Sequence, residues 1–328
     1  MRIIGASDVW SLVSMSDAIE LMATAFGELS AGRAQAPLRT GIHLDASRLD
    51  ALTMPATVPA ARALGVKLVT VAADNPARNL PLIHATVLIV DPETGQPLGV
   101  LDGTSITAMR TGAVSGAATQ RLARPDATTL VLFGSGAQAI TQALAVGAVR
   151  DLKRIVVVGR DQARLDSFAQ RLAVRDERLA GLVQTTTDRT AAGDADVICA
   201  ATTSRVPVFN DADVRPGTHI NGVGAYTPAM QEIPADTVVR ALVVVDQVEA
   251  ALEEAGDLAI PIREGQLSPD AVTVELGQLV NGDHPGRTDD QQVTFFKSVG
   301  NAVQDMVVGR RALDLAAERG VGQVVSLA

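Results

Sequence analysis

Aromatic side chains are nearly missing from this sequence: one tryptophan, one tyrosine and six phenylalanines among 328 residues. That scarcity excludes base stacking on aromatic platforms and leaves alanine, valine and leucine to build the core. Cysteine occurs once, as Cys199 in the apolar run DVICAA. It can form no internal disulfide and reads as a small core residue. The four histidines show no metal-ligand spacing, so no metal site is expected. A net charge of −9 without any Lys/Arg block argues against nucleic acid and anionic membranes as partners. The N-terminus MRIIGASDVW lacks the apolar centre of a signal peptide. No segment approaches about 18 uninterrupted apolar residues, the length of a membrane span. The expected location is the cytoplasm, and the length allows two domains.

What is present centres on TLVLFGSGAQA at 129–139. An apolar strand ends in Gly134, Ser135, Gly136, Ala137, Gln138 and Ala139, the G-x-G-x-x-A form of a dinucleotide fingerprint. Gly134 permits the tight turn, Gly136 lets backbone approach a pyrophosphate, and Ala139 lets the next helix pack close. The helix N-terminus favours phosphate charge. A second strand, RIVVVGR at 154–160, completes a βαβ unit and ends in Arg160, where an NAD-selective enzyme usually carries Asp or Glu. A guanidinium there suits a 2′-phosphate, so NADPH is the expected cofactor, with NADH as the alternative. Asp161 reads either as the displaced ribose acid or as a helix N-cap.

Along the rest of the chain, Asp17 to Leu29 has the periodicity of an amphipathic helix, with Asp17 and Glu20 resembling a capping box. PLRTGIHL at 37–44 alternates as a half-buried strand carrying Arg39. In GVKLVTVAADN at 65–75, Lys67 shares a strand face with Val69 and Val71, an odd place for an ammonium unless something negative meets it. The run at 80–99 reads as strand, turn and return strand, with His84 and Thr86 on one face. Residues 102–123 predict a helix of small residues with Arg110 in its middle and no local ion-pair partner. Its guanidinium calls for an anion from elsewhere, a ligand or a distant acid. Strands at 194–204, 219–228 and 241–246 alternate with helices, as in a doubly wound parallel sheet whose ligands meet the strands' carboxyl ends. A long C-terminal helix, with Ser298 as its expected cap, carries an apolar stripe from Val299 to Leu313.

Taken together, PLRT (37–40), GVKLV (65–69), TAMRTGAVSG (107–116), GSGAQA (134–139), HINGVGAYTP (219–228), EEAGDL (253–258) and PGRTDDQQVTFFKSVGNAVQD (285–305) resemble the ornithine cyclodeaminase and mu-crystallin family. The likeness runs from about residue 37 to the end. It implies an α/β chain with a Rossmann-type doubly wound domain over 119–299. A smaller α+β substrate and dimerisation domain would then take 1–118 and 300–328, completed by the C-terminal helix, in a homodimer. By the same resemblance Arg39 and Lys67 hold a substrate carboxylate. Arg110 lies where substrate and nicotinamide meet, and Val299 lies on the substrate side. Ala137, Gln138, Arg160, Thr202, Val223 and Ser298 match cofactor contacts.

Two departures refine the expectation. The family's cyclodeaminases and alanine dehydrogenases carry an Asp acid/base where this chain has Tyr226, and the cyclodeaminases carry a cofactor-touching Thr where it has Leu82. A phenol with an ordinary pKa of about 10 serves poorly in the repeated proton transfers of ornithine cyclisation. GAYTPAMQE resembles instead the family's reductases of cyclic imino acids such as Δ1-pyrroline-2-carboxylate, whose reaction needs one hydride and one proton. Tyr226, Lys67, His84 and water all remain as proton donors. An open-chain amino acid dehydrogenase or deaminase, and a mu-crystallin-like small-ligand binder, are the alternative readings.

Overall fold

The computed structural model describes residues 1–326. The chain folds into two compact units. One runs from Met1 to Arg110 and resumes at Asn301; the other is Thr111–Gly300. The division falls inside the helix Gly103–Leu122, just after Arg110.

Among the described residues the first unit holds a seven-stranded sheet. In spatial order its strands are Gln323–Val324, Arg2–Ile4, Pro97–Asp102, Ile83–Val90, Ala63–Ala72, Leu49–Val58 and Thr40–Leu44. The four strands from Thr40 to Val90 are joined antiparallel, so alternate side chains divide between two faces. Met54, Lys67 and Val87 lie opposite one another on the face that is buried, against the C-terminal helix Ala302–Arg319. Thr70 and His84 pair on the other face, and His84 is exposed. His84 is therefore excluded as a proton donor beside Lys67, because strand alternation turns it away.

Thr40–Leu44 departs from the expected half-buried strand, being exposed at every position because it is the outermost strand of the sheet. The amphipathic helix spans Met15–Ser30, and its cap is Ser14, whose hydroxyl accepts from the Asp17 N–H at 3.0 Å. Asp17 thus sits within the first turn and is not the cap. Ser298 is likewise not the cap of the C-terminal helix. Asn301 takes that place, accepting from the Val303 N–H at 3.0 Å, while Gln304 Oε1 returns to the Asn301 N–H at 2.9 Å. Gly300, at φ +86°, turns the chain between the two residues.

The second unit's sheet has eight strands among the described residues, all parallel. Their order is Val274–Glu275, Leu242–Val245, Thr294–Lys297, His219–Gly222, Val197–Ala200, Thr129–Phe133, Arg154–Val158 and Val183–Thr186. Leu242–Val245, Val197–Ala200, Thr129–Phe133 and Arg154–Val158 are nearly continuous apolar runs, as strands buried on both faces are. Cys199 is fully buried among them, and burial pushes its thiol up to about 12, which leaves it inert. The direction of strand succession reverses between Thr129–Phe133 and Val197–Ala200, the place where such sheets open a crevice. Among the described residues no helix is long and apolar enough to cross a membrane.

Candidate active site

The first unit buries a cluster of charge. Lys67, 1% exposed, donates from Nζ to Asp305 Oδ2 at 2.6 Å. The Arg110 Nη1 donates to Gln304 Oε1 at 2.7 Å, and its Nε lies 3.4 Å from Asp305 Oδ1 without hydrogen-bond geometry. The strand at 63–72 thus supplies the ammonium, the helix at 103–122 the guanidinium, and the C-terminal helix their shared carboxylate. Burial lowers the Lys67 pKa from 10.5 to about 8 against the pull of Asp305, and the positive charges of Arg110 and Arg39 add to the lowering. Arg39 is half-buried just ahead of the edge strand.

Arg110 therefore meets a distant acid in its own chain. That acid does not exhaust the cluster, since two cations and one carboxylate leave a net positive charge inside the protein. A buried excess of this kind suits an incoming carboxylate. Gln304 and Asp305 do not stand out in the sequence. Their only signal is a polar pair set between Val303 and Met306 on a stripe that is otherwise apolar.

In the second unit, parallel register assembles the candidate cofactor residues. Phe133, Ala200, Gly222, Lys297 and Val245 end their strands side by side. The segments that follow carry Gly134 to Gly136 and the helix start Ala137 and Gln138, then Thr202, Val223 to Tyr226, Ser298 and Asp246, all at the sheet's carboxyl edge. Gly134 has φ +106°, and a Cβ there would stand 2.6 Å from the Ala201 carbonyl oxygen, so both conformation and space demand glycine. A Cβ on Gly136 would meet nothing within 4 Å. Gly136 caps the helix Ala137–Val149 without a side chain, with Ala137 exposed and Gln138 half-buried. An open approach to bare helix N–H groups fits a dinucleotide pyrophosphate.

At the neighbouring strand end, Arg160 is exposed. Asp161 proves to be the N-cap of Gln162–Asp166, accepting from the Arg164 N–H at 3.1 Å. The Arg171 guanidinium donates to the Ser135 carbonyl at 2.7 Å and braces the glycine turn from behind.

Ser298 and Val299 are both buried and converge on one acceptor. Asp246 Oδ2 receives the Ser298 hydroxyl at 2.7 Å and the N–H groups of Val299 and Gly300 at 3.0 and 2.9 Å. Thr202 and Val223 are half-buried, and so is Tyr226. Glu232 is buried beneath these loops. Its Oε1 accepts from the Thr202 N–H at 2.6 Å, and its Oε2 from Gly224 and Ala225 at 2.7 and 2.9 Å. Behind it, Asp257 Oδ1 accepts from the Glu232 N–H at 2.6 Å, and Asp257 Oδ2 from Lys297 Nζ at 2.9 Å. Burial, with Asp257 nearby, pushes the Glu232 carboxyl up to about 7, and Lys297 pulls the other way.

A model of the ornithine cyclodeaminase/mu-crystallin family matches residues 2–319. A Δ1-pyrroline-2-carboxylate reductase of Bacillus cereus is 40% identical over 324 residues, covering 98% of this chain and 99% of the relative. Among solved structures, the Thermococcus litoralis Δ1-pyrroline-2-carboxylate reductase in complex with NADH and L-proline has a TM-score of 0.94 at 38% identity, with 99% and 100% of the two chains covered. An archaeal alanine dehydrogenase dimer with bound NAD has a TM-score of 0.92 at 30% identity, covering 100% and 99%.

Proposed function

The chain belongs to the ornithine cyclodeaminase/mu-crystallin family, and we propose that it reduces a cyclic imino acid such as Δ1-pyrroline-2-carboxylate to the cyclic amino acid, L-proline, at the expense of NADPH or NADH. The observation that carries this reading is the buried excess of positive charge at Lys67, Arg110 and Asp305. Arg39, Lys67 and Arg110 hold the substrate carboxylate and so orient the C=N bond.

The nicotinamide, when bound, supplies the hydride. Gly134, Ser135, Gly136, Ala137 and Gln138 cradle its pyrophosphate, Thr202, Val223 and Ser298 line its course, and Arg160 takes a 2′-phosphate. The imine nitrogen needs one proton. Lys67 Nζ, lowered to about 8, exchanges a proton close to neutral pH and is the favoured donor, with the Tyr226 phenol the second candidate.

The role of substrate-side and dimerising unit goes to the one that contains Lys67, and the nucleotide role to the other. Ile42, Leu44 and Leu68 are 66%, 49% and 48% exposed on the sheet face opposite Lys67, and a second copy of the chain would cover them.

Purified protein mixed with reduced cofactor and Δ1-pyrroline-2-carboxylate should oxidise the cofactor and form L-proline. Ammonia release from L-ornithine with NAD, in place of that reduction, would overturn the assignment. Tyr226, standing where the cyclodeaminases' acid is expected, argues against such an outcome.

A further inference from the structure

We propose that Glu232 is a positioning residue for cofactor binding, clamping from below the two loops that carry Thr202 and Val223 to Tyr226. The inference rests on the nucleotide role of the second unit and asks nothing of the substrate's identity. One carboxylate gathers three backbone N–H groups from loops that follow two adjacent strands, Val197–Ala200 and His219–Gly222. Neither loop has regular secondary structure of its own at these residues, and this carboxylate joins one to the other. The fit is close. A Cβ on Gly224 would stand 2.5 Å from Glu232 Oε1 and 2.2 Å from the Thr202 carbonyl oxygen.

The clamp is itself anchored. Asp257, from the helix Gly256–Arg263, holds the backbone N–H groups of Glu232 and Ile233, at 2.6 and 3.0 Å. Lys297, at the end of the strand Thr294–Lys297, is bonded to the far oxygen of Asp257. Glu232, Asp257 and Lys297 are each fully buried. Asp257 and Lys297 are the charged groups that face Glu232, one opposing its ionisation and the other favouring it. Ionised, the carboxylate accepts all three N–H groups. A protonated carboxyl, or an amide, must turn a donor toward one of them.

Glu232→Gln preserves shape and removes one acceptor, so the test is direct titration of NADH by the change in its fluorescence on binding, with thermal melting in parallel. The expected result is a Kd raised roughly tenfold or more, as loss of a hydrogen bond to a charged group predicts, with kcat at saturating cofactor retained within about threefold. Hydrogen exchange should quicken in the peptides around 202–204 and 223–226 and stay unchanged in the glycine turn at 134–138. Lys297→Gln serves where Glu232→Gln does not fold. Without that cation Glu232 ionises at higher pH, so NADH should bind weakly at neutral pH and recover above it. A Kd within about twofold of wild type in a folded Glu232→Gln protein, or weakening in Lys297→Gln that does not recover with pH, overturns the proposal. Failure of the wild type to bind either nicotinamide would instead overturn the functional reading, and NADH binding without imine turnover would leave the clamp testable.

Discussion

Lys67 sets two pH trends against each other. Its pKa in the folded chain, about 8, lies below the ordinary 10.5, so between those values the unfolded chain binds more protons and the lysine's contribution to stability rises with pH. Over the same window its charge is lost, and with it the part proposed for it in holding the substrate carboxylate. Inhibition by cyclopentanecarboxylate, a ring acid with no titrating nitrogen, should weaken as pH passes about 8 in the wild type. Lys67→Met should bind it poorly at every pH, and an unchanged inhibition profile in that variant would remove Lys67 from the clamp. At the other end of the chemistry, Arg160→Asp should raise the KM for NADPH far more than that for NADH. Each charge-assisted bond to a 2′-phosphate is worth about 1.5–3 kcal/mol, so a wild type that already prefers NADH would count against this role. Arg164, held at 3.3 Å by Asp161, is the next guanidinium to substitute.

The elements are legible in the sequence wherever one physical rule dominates. The apolar strand at 129–133, its glycine turn and the strand at 154–158 stand out because a parallel sheet covered on both faces demands unbroken apolar runs. Lys67 stands out because an ammonium breaks a strand's buried face. Asp305, which answers it, does not, because it lies 238 residues further along the sequence and an aspartate in a helix is ordinary by itself. Lys297 and Asp257, 40 residues apart, escape notice for the same reason. Caps are the least legible feature, since Ser298 and Asn301 both suit an N-cap and only the turn at Gly300 decides between them. Asn301→Ala should therefore cost about 1 kcal/mol of stability, measured by urea unfolding, with NADH affinity kept. Ser298→Ala should leave the helix intact and act through Asp246; equal losses of stability from both changes would contradict this division.

At the scale of the molecule, the exposed Ile42 and Leu68 predict association of two chains of 34.0 kDa each. Sedimentation should show a dimer, and Ile42→Lys with Leu68→Lys a monomer whose nucleotide binding survives. A wild type that sediments as a monomer would refute the assigned interface. The helix that delivers Asp305 has a consequence of another kind, in time. During synthesis Lys67 leaves the ribosome well before its counter-ion exists. At roughly 5–20 residues per second, the separation of 238 residues amounts to a wait of about 10–50 s. Through that interval the early strands have an ammonium to bury and lack Asp305 to bury it with, so residues 1–110 form a sheet that waits for its last helix. The unit Thr111–Gly300, whose sequence is uninterrupted, is free to fold while the other waits. Nascent chains stalled before Asn301 should then be cut by protease within residues 1–110 and resist it within 111–300.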